Sequence, residues 1–93
     1  MDNYTGRLVL ATAGRDKNSV FFVTGVSGGF LLLADGKRRK ADHPKRKKPG
    51  HVQLLESGSV ENPVFGKLKQ REPVSDRELR RALAALKEGI QIG

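Results

Sequence analysis

A mainly β fold, a small barrel followed by one C-terminal α-helix, is predicted by three observations. Short apolar segments are closely spaced between Gly6 and Leu55, glycine-bearing turn signals separate them, and one capped amphipathic segment begins at Ser75. At 93 residues the chain supports one small domain. A domain of this size buries only about 60–65% of the surface its unfolded chain exposes, so any core is compact.

The first strand is expected between Gly6 and Gly14, where seven β-compatible residues, RLVLATA, are bounded by glycines. Leu8 and Leu10 alternate with Val9 and Ala11, so both faces are apolar, as in a small barrel wrapped round its own core. Residues 15–19, RDKNS, read as a polar turn in which Asn18 tolerates a positive φ. VFFVTGV (20–26) is the second strand. Ser27, Gly28 and Gly29 supply a hairpin, and FLLLA (30–34) returns as the third. Asp35-Gly36 is a tight-turn signal, after which residues 37–41 are expected to pair back as a charged edge strand. Pro44 and Pro49 bracket a basic loop, KRKK (45–48), and residues 51–55 close the set.

Four or five short strands within residues 1–55 suggest a small SH3-like β-barrel, with a truncated OB-like barrel left open by spacing alone. Residues 56–74 contain Ser, Gly, Pro and Asn, lack periodicity, and read as a linker or long loop. Residues 75–93 form a C-terminal helix and tail. Ser75 and Glu78 make a capping box, Leu79, Ala82, Leu83 and Leu86 recur at helical spacing, and Gly89 is a stop. A helix this short needs a docking surface, on the barrel or on a partner.

The charge is lopsided. Residues 1–51 carry eleven Lys/Arg against four Asp/Glu, whereas residues 52–93 carry seven against six. Eight of the cations fall in the twelve residues from Lys37 to Lys48. Together with a sequence pI near 10.3, that clustering points to an anionic polymer as partner.

Other function classes find little support in the residues. The chain has no cysteine, so a disulfide framework and a thiolate metal site are excluded, and a cytosolic setting is expected. The N-terminal residues MDNYTGRLVL lack the basic and apolar regions of a signal peptide, so the Asn3-Tyr4-Thr5 glycosylation match carries no weight. The apolar run from Phe30 to Ala34 is far shorter than the ~20 residues of a membrane span. GSVENPVFGKL (58–68) lacks the spacing and the final Ser/Thr of a phosphate-binding loop, and no Gly-x-Ser-x-Gly elbow is present. No enzyme, no cofactor and no metal site is expected, since His43 and His51 stand without supporting ligands.

LVLATAGRDKNSVFFVTGV (8–26) resembles the KOW motif: a strand, a Gly-x-Asp-Lys turn and a second hydrophobic strand. With FLLLADGKRRKADHPKRKKPGHVQL (30–54), the chain is similar to small bacterial KOW-domain RNA-binding proteins. These are related to a large-subunit ribosomal protein family of archaea and eukaryotes. VSDRELRRAL (74–83) resembles the short C-terminal helix some of them carry. The KOW glycine after the Asp-Lys pair is replaced by Asn18, the next best residue for a left-handed turn. The resemblance implies an SH3-like barrel that binds RNA, commonly ribosomal RNA. The bare motif also occurs in transcription-elongation factors.

The expected RNA-binding residues are Arg15 and Lys17 in the first loop, Lys37, Arg38, Arg39, Lys40, Lys45, Arg46, Lys47 and Lys48 in the basic run, and His43 and His51. Arg38, Arg39 and Arg46 are favoured for specific contacts, because guanidinium forks onto phosphate and stacks on bases. Phe21, Phe22 and Phe30 are assigned to the core, which leaves few aromatics for stacking on unpaired bases and favours folded RNA. The leading expectation is an RNA-binding module of a ribosomal or ribosome-associated protein in the cytoplasm, monomeric outside its complex and touching no membrane. Two readings compete with it: a protein-interaction module using the barrel and the helix at 75–88, and a bipartite nuclear-targeting signal in the basic run.

Overall fold

A computed structural model of the chain describes residues 3–55 and 62–89. Five strands form one antiparallel sheet: β1 (Leu8–Ala11), β2 (Val20–Ser27), β3 (Phe30–Ala34), β4 (Lys45–Lys47) and β5 (Val52–Leu55). Two helices follow, α1 (Pro63–Lys69) and α2 (Asp76–Gly89). The sheet order is β4-β3-β2-β1-β5.

Sheet connectivity forces curvature. In a flat five-stranded sheet the edge strands lie about 19 Å apart. Here the edges β4 and β5 are joined by residues 48–51 alone, three of them wound into a 3₁₀ turn (Pro49–His51) with only ~2.0 Å of rise per residue. Curling is assisted by a bulge in β2, where pairing steps from Val23↔Leu33 to Gly25↔Leu32 and leaves Thr24 without a partner residue in the ladder. Lys47, at the end of β4, also reaches across to the far side and donates from Nζ to the Ala13 carbonyl at 2.6 Å.

The alternation read in β1 holds, and both of its faces are buried. Val9, Ala11, Phe21, Val23, Leu31 and Leu33 fill the concave side of the sheet, with Tyr4 and Val52 at its margin. Leu8, Val20, Phe22 and Ala34 face the convex side, where Val64 and Leu68 of α1 and Leu79, Ala82, Leu83 and Leu86 of α2 cover them. Phe65 meets Phe22 edge-on at 5.7 Å. The convex face is therefore a second core supplied by the helices, and α2 docks on its own sheet.

Two expectations are corrected. Residues 63–69, within the segment read as linker or loop, form α1. Asn62 caps it by accepting from Val64 N at 3.0 Å, and Pro63 opens it. Residues 37–41 do not form a strand, and the fourth strand is Lys45–Lys47, read from sequence as a Pro-bracketed loop. The cause is Asp35. Its Oδ1 accepts from Lys37 N and Arg39 N, both at 2.9 Å, and these bonds close residues 35–39 into a compact loop. The chain returns to β3 only after Pro44, pairing Lys45, Arg46 and Lys47 with Leu33, Leu32 and Leu31.

α2 keeps the capping box read from sequence. Glu78 N donates to Ser75 Oγ at 3.1 Å, and Ser75 N donates to Glu78 Oε2 at 2.8 Å. Glu78 also pairs with Lys67 of α1, tying the two helices together. The hydrogen bond from Lys67 comes first among the causes that lower the Glu78 carboxyl to about 2, followed by the Ser75 amide; the same contact raises Lys67. Gly89 closes α2 as its last residue, and residues 90–93 of the predicted tail lie outside the described residues.

Candidate nucleic-acid interface

The β1–β2 loop is built as the sequence suggests. Asn18 takes a φ of +72° and donates its amide to Ala11 O, while Gly14 has a φ of +81°. Further amide bonds from Lys17 to Gly14 O and from Ser19 to Asp16 O fold the loop tightly. Arg15 and Lys17 are exposed. Between them Asp16 turns inward and is 1% exposed.

Asp16 ties the loop to the basic run. Its Oδ2 accepts from Arg39 Nη2 at 2.9 Å, and its Oδ1 lies 3.9 Å from Arg38 Nη2. The Asp16 Oδ1 and Arg39 Nε atoms are buried without a hydrogen bond. A carboxylate taken out of water needs its cations nearby, so this contact fixes the relative position of two otherwise separate loops.

Loop 35–41 is held from its other side by α2. Gly36 has a φ of +78°, and a Cβ there would lie 2.2 Å from the Asp76 carbonyl oxygen, so the loop backbone rests directly on the helix start. Gly36 O accepts from Arg80 Nη1 at 2.7 Å, and Ala41 N donates to Asp76 Oδ1 at 2.7 Å. Lys37, Arg38 and Lys40 remain exposed on the outer side of the loop.

A third segment joins them. Thr12 N donates to His51 O at 2.9 Å, placing the β4–β5 turn, with exposed Lys48 and His51, beside the β1–β2 loop. Arg15, Lys17, Arg38, Arg39, Lys47, Lys48 and His51 are thus brought to one end of the sheet by Asp16, Ala13 and Thr12, with Lys37 and Lys40 on the loop that Arg39 anchors.

The basic run does not act as one block. Lys47 is buried and spends its ammonium on Ala13 O, and Arg39 is engaged by Asp16. Arg46 points elsewhere: its guanidinium stacks over the Phe30 ring at 4.7 Å, near Gly28 at the β2–β3 hairpin. Phe30 is accordingly half-buried rather than central to the core. Lys45 is half-buried along β4, and His43 is exposed beside Asp42, Nδ1 to Oδ1 at 3.2 Å. Of the three arginines favoured from sequence, Arg38 presents 62% of its side chain to solvent and Arg39 only 32%, while Arg46 is exposed but lies over Phe30.

Sequence reading passed over Asp16, assigned only to a turn, and Arg80. The usable signal for Asp16 was an acidic residue set between Arg15 and Lys17 in a basic half-chain. No comparable local signal marks Arg80, whose partner lies 44 residues away. No group of three or more His, Cys, Asp or Glu side chains able to hold a metal occurs among the described residues, and no described helix is long and apolar enough to cross a membrane. No protein-family model matches the chain, and no curated protein matches it.

Proposed function

We propose that the chain is an RNA-binding module, an SH3-like barrel that grips structured RNA, ribosomal RNA in the first instance, with the basic loops at one end of the sheet. The observation that carries this reading is the Asp16–Arg39 contact, which joins the two basic loops into one surface. Clustered, exposed and position-fixed cations are what phosphate recognition requires, since each phosphate neutralised releases condensed counterions. The short edge-to-edge connection and the bulge in β2 are what a barrel of this type needs. The KOW resemblance of residues 8–26 and 30–54 points the same way and suggests a ribosomal or ribosome-associated role in a bacterial cytoplasm. Binding rather than catalysis is the proposed activity.

The protein-interaction alternative loses its helix-in-groove form. Leu79 and Leu86 are 0% exposed against the sheet, so α2 has no apolar face to offer a partner without leaving its place. The test is binding of ribosomal RNA fragments, followed by fluorescence anisotropy, with the variant Lys37→Ala/Arg38→Ala/Lys40→Ala. These side chains are exposed and the substitutions leave the Asp16–Arg39 contact in place. A loss of roughly tenfold or more at moderate salt is expected from removing three phosphate-facing cations. Undiminished affinity in a variant with an unchanged unfolding midpoint would remove this surface from RNA binding.

A further inference from the structure

α2 brings its own cations to the basic end. Its apolar side is occupied by the sheet through Leu79, Ala82, Leu83 and Leu86. On the helical period, Asp76, Arg80 and Lys87 share one flank, which meets loop 35–41 at Asp76 and Arg80; Arg77 falls on the side away from the sheet, and Arg81 lies beyond it, lining a hollow with Pro63 and Lys67 of α1. The contacts of Gly36 with Arg80 and the Asp76 backbone leave no gap between that flank and the loop. Lys37, Arg38 and Lys40 therefore adjoin the basic side of the helix.

The two acidic side chains described on α2 are used elsewhere. Asp76 accepts from Ala41 N, and Glu78 is taken by Lys67 and Ser75 N. Arg77, Arg81 and Lys87 are exposed and enter no ion pair among the described residues. Arg77 also stands in the first turn of α2, the end where the helix dipole disfavours positive charge. No described aromatic ring lies free beside these cations. Phe21 and Phe22 are buried, Phe65 packs on Phe22, Tyr4 packs on the concave core, and Phe30 lies under Arg46. A surface of fixed cations without stacking rings suits phosphate backbones better than unpaired bases.

We propose that α2 is a second arm of the RNA-binding surface, and that the strip from Lys37, Arg38 and Lys40 onto Arg77, Arg81 and Lys87 takes the sugar-phosphate backbone of double-helical RNA. The proposal rests on the RNA-binding reading above. Its test is the variant Arg77→Ala/Arg81→Ala/Lys87→Ala, with Arg80 kept because it holds Gly36. Alanine favours helix at all three positions, so α2 remains folded; Arg81→Glu alone serves as a second variant should the unfolding midpoint shift. The probes are a blunt RNA duplex of roughly 16–20 base pairs, the length shape-reading domains span, and a single strand of equal length.

Duplex affinity should fall roughly tenfold and the log–log salt slope should shrink by about 2–3, with a smaller change for the single strand. Unaltered duplex binding in the helix variant, beside weakened binding in the Lys37/Arg38/Lys40 variant, overturns the second arm and leaves the RNA reading intact. Equal losses on duplex and single strand overturn the duplex assignment. Failure of the unaltered protein to bind either RNA removes both proposals.

Discussion

Gly36 has no room for a side chain. With a φ of +78° and the Asp76 carbonyl oxygen 2.2 Å from where a Cβ would sit, Gly36→Ala must either strain the backbone or push loop 35–41 off α2. A loss of about 1–3 kcal/mol is expected in urea unfolding. An unchanged midpoint would mean that the loop is not seated on the helix. Asp16 makes a different kind of contact, joining two loops through charge. Asp16→Ala should cost about 1.5–3 kcal/mol by removing a charged hydrogen bond and leaving Arg39 without its partner. It should also raise amide exchange at residues 36–41. Although the substitution removes one buried negative charge and so raises the net charge by one, RNA affinity should not improve, because the cations are no longer held together. Tighter binding with unchanged exchange would show that Asp16 does not position them.

The Glu78–Lys67 pair sets a pH dependence at the residue scale. The Glu78 carboxyl is held at about 2 in the folded chain against an ordinary 4.5, so its contribution is complete above pH 4.5 and is lost as pH falls toward 2. Lys67 is raised, so its contribution is complete below 10.5 and fades as pH climbs past that value. Thermal midpoints should therefore fall more steeply between pH 4.5 and 2 in the unaltered protein than in Glu78→Gln. Parallel curves for the two proteins would remove the pair from the account.

At the scale of elements, α2 serves two ends. It covers Phe22 and Leu8 on the convex face and it seats the basic loop through Asp76 and Arg80. Leu79→Ala, at a fully buried position, should cost about 2–5 kcal/mol and lower amide protection in loop 35–41 as well as in the helix. Protection lost in α2 alone would separate the helix from the loop. The helix was legible because its signals are local: the Ser75–Glu78 box and a repeat of four apolar residues. The hairpin at Gly28-Gly29 and the left-handed Asn18 were legible for the same reason. α1 was missed because seven residues with two buried positions, Val64 and Leu68, show barely one period; only Asn62-Pro63 marked its start. Residues 37–41 and 45–47 exchanged roles because the Asp35 carboxylate satisfies two amides that a tight hairpin would have placed in the ladder. The basic composition pointed to a candidate surface, but sorting Lys47 and Arg46 from Arg38 depended on strand register and on long-range partners, which no short window contains.

On the scale of the whole molecule, part of the formal charge of +8 is gathered by contacts between loops. Arg15, Lys17, Lys37, Arg38, Lys40 and Lys48 remain exposed while Asp16, Lys47 and Arg39 fasten the segments that carry them. The measurement that tests this most directly is the salt dependence of the unaltered protein's affinity for a structured ribosomal RNA fragment. If four to six of those cations meet phosphates, the logarithm of the binding constant should fall against the logarithm of salt with a slope of about −3 to −5. A weak affinity that stays level between low and moderate salt would contradict an RNA grip built from these residues.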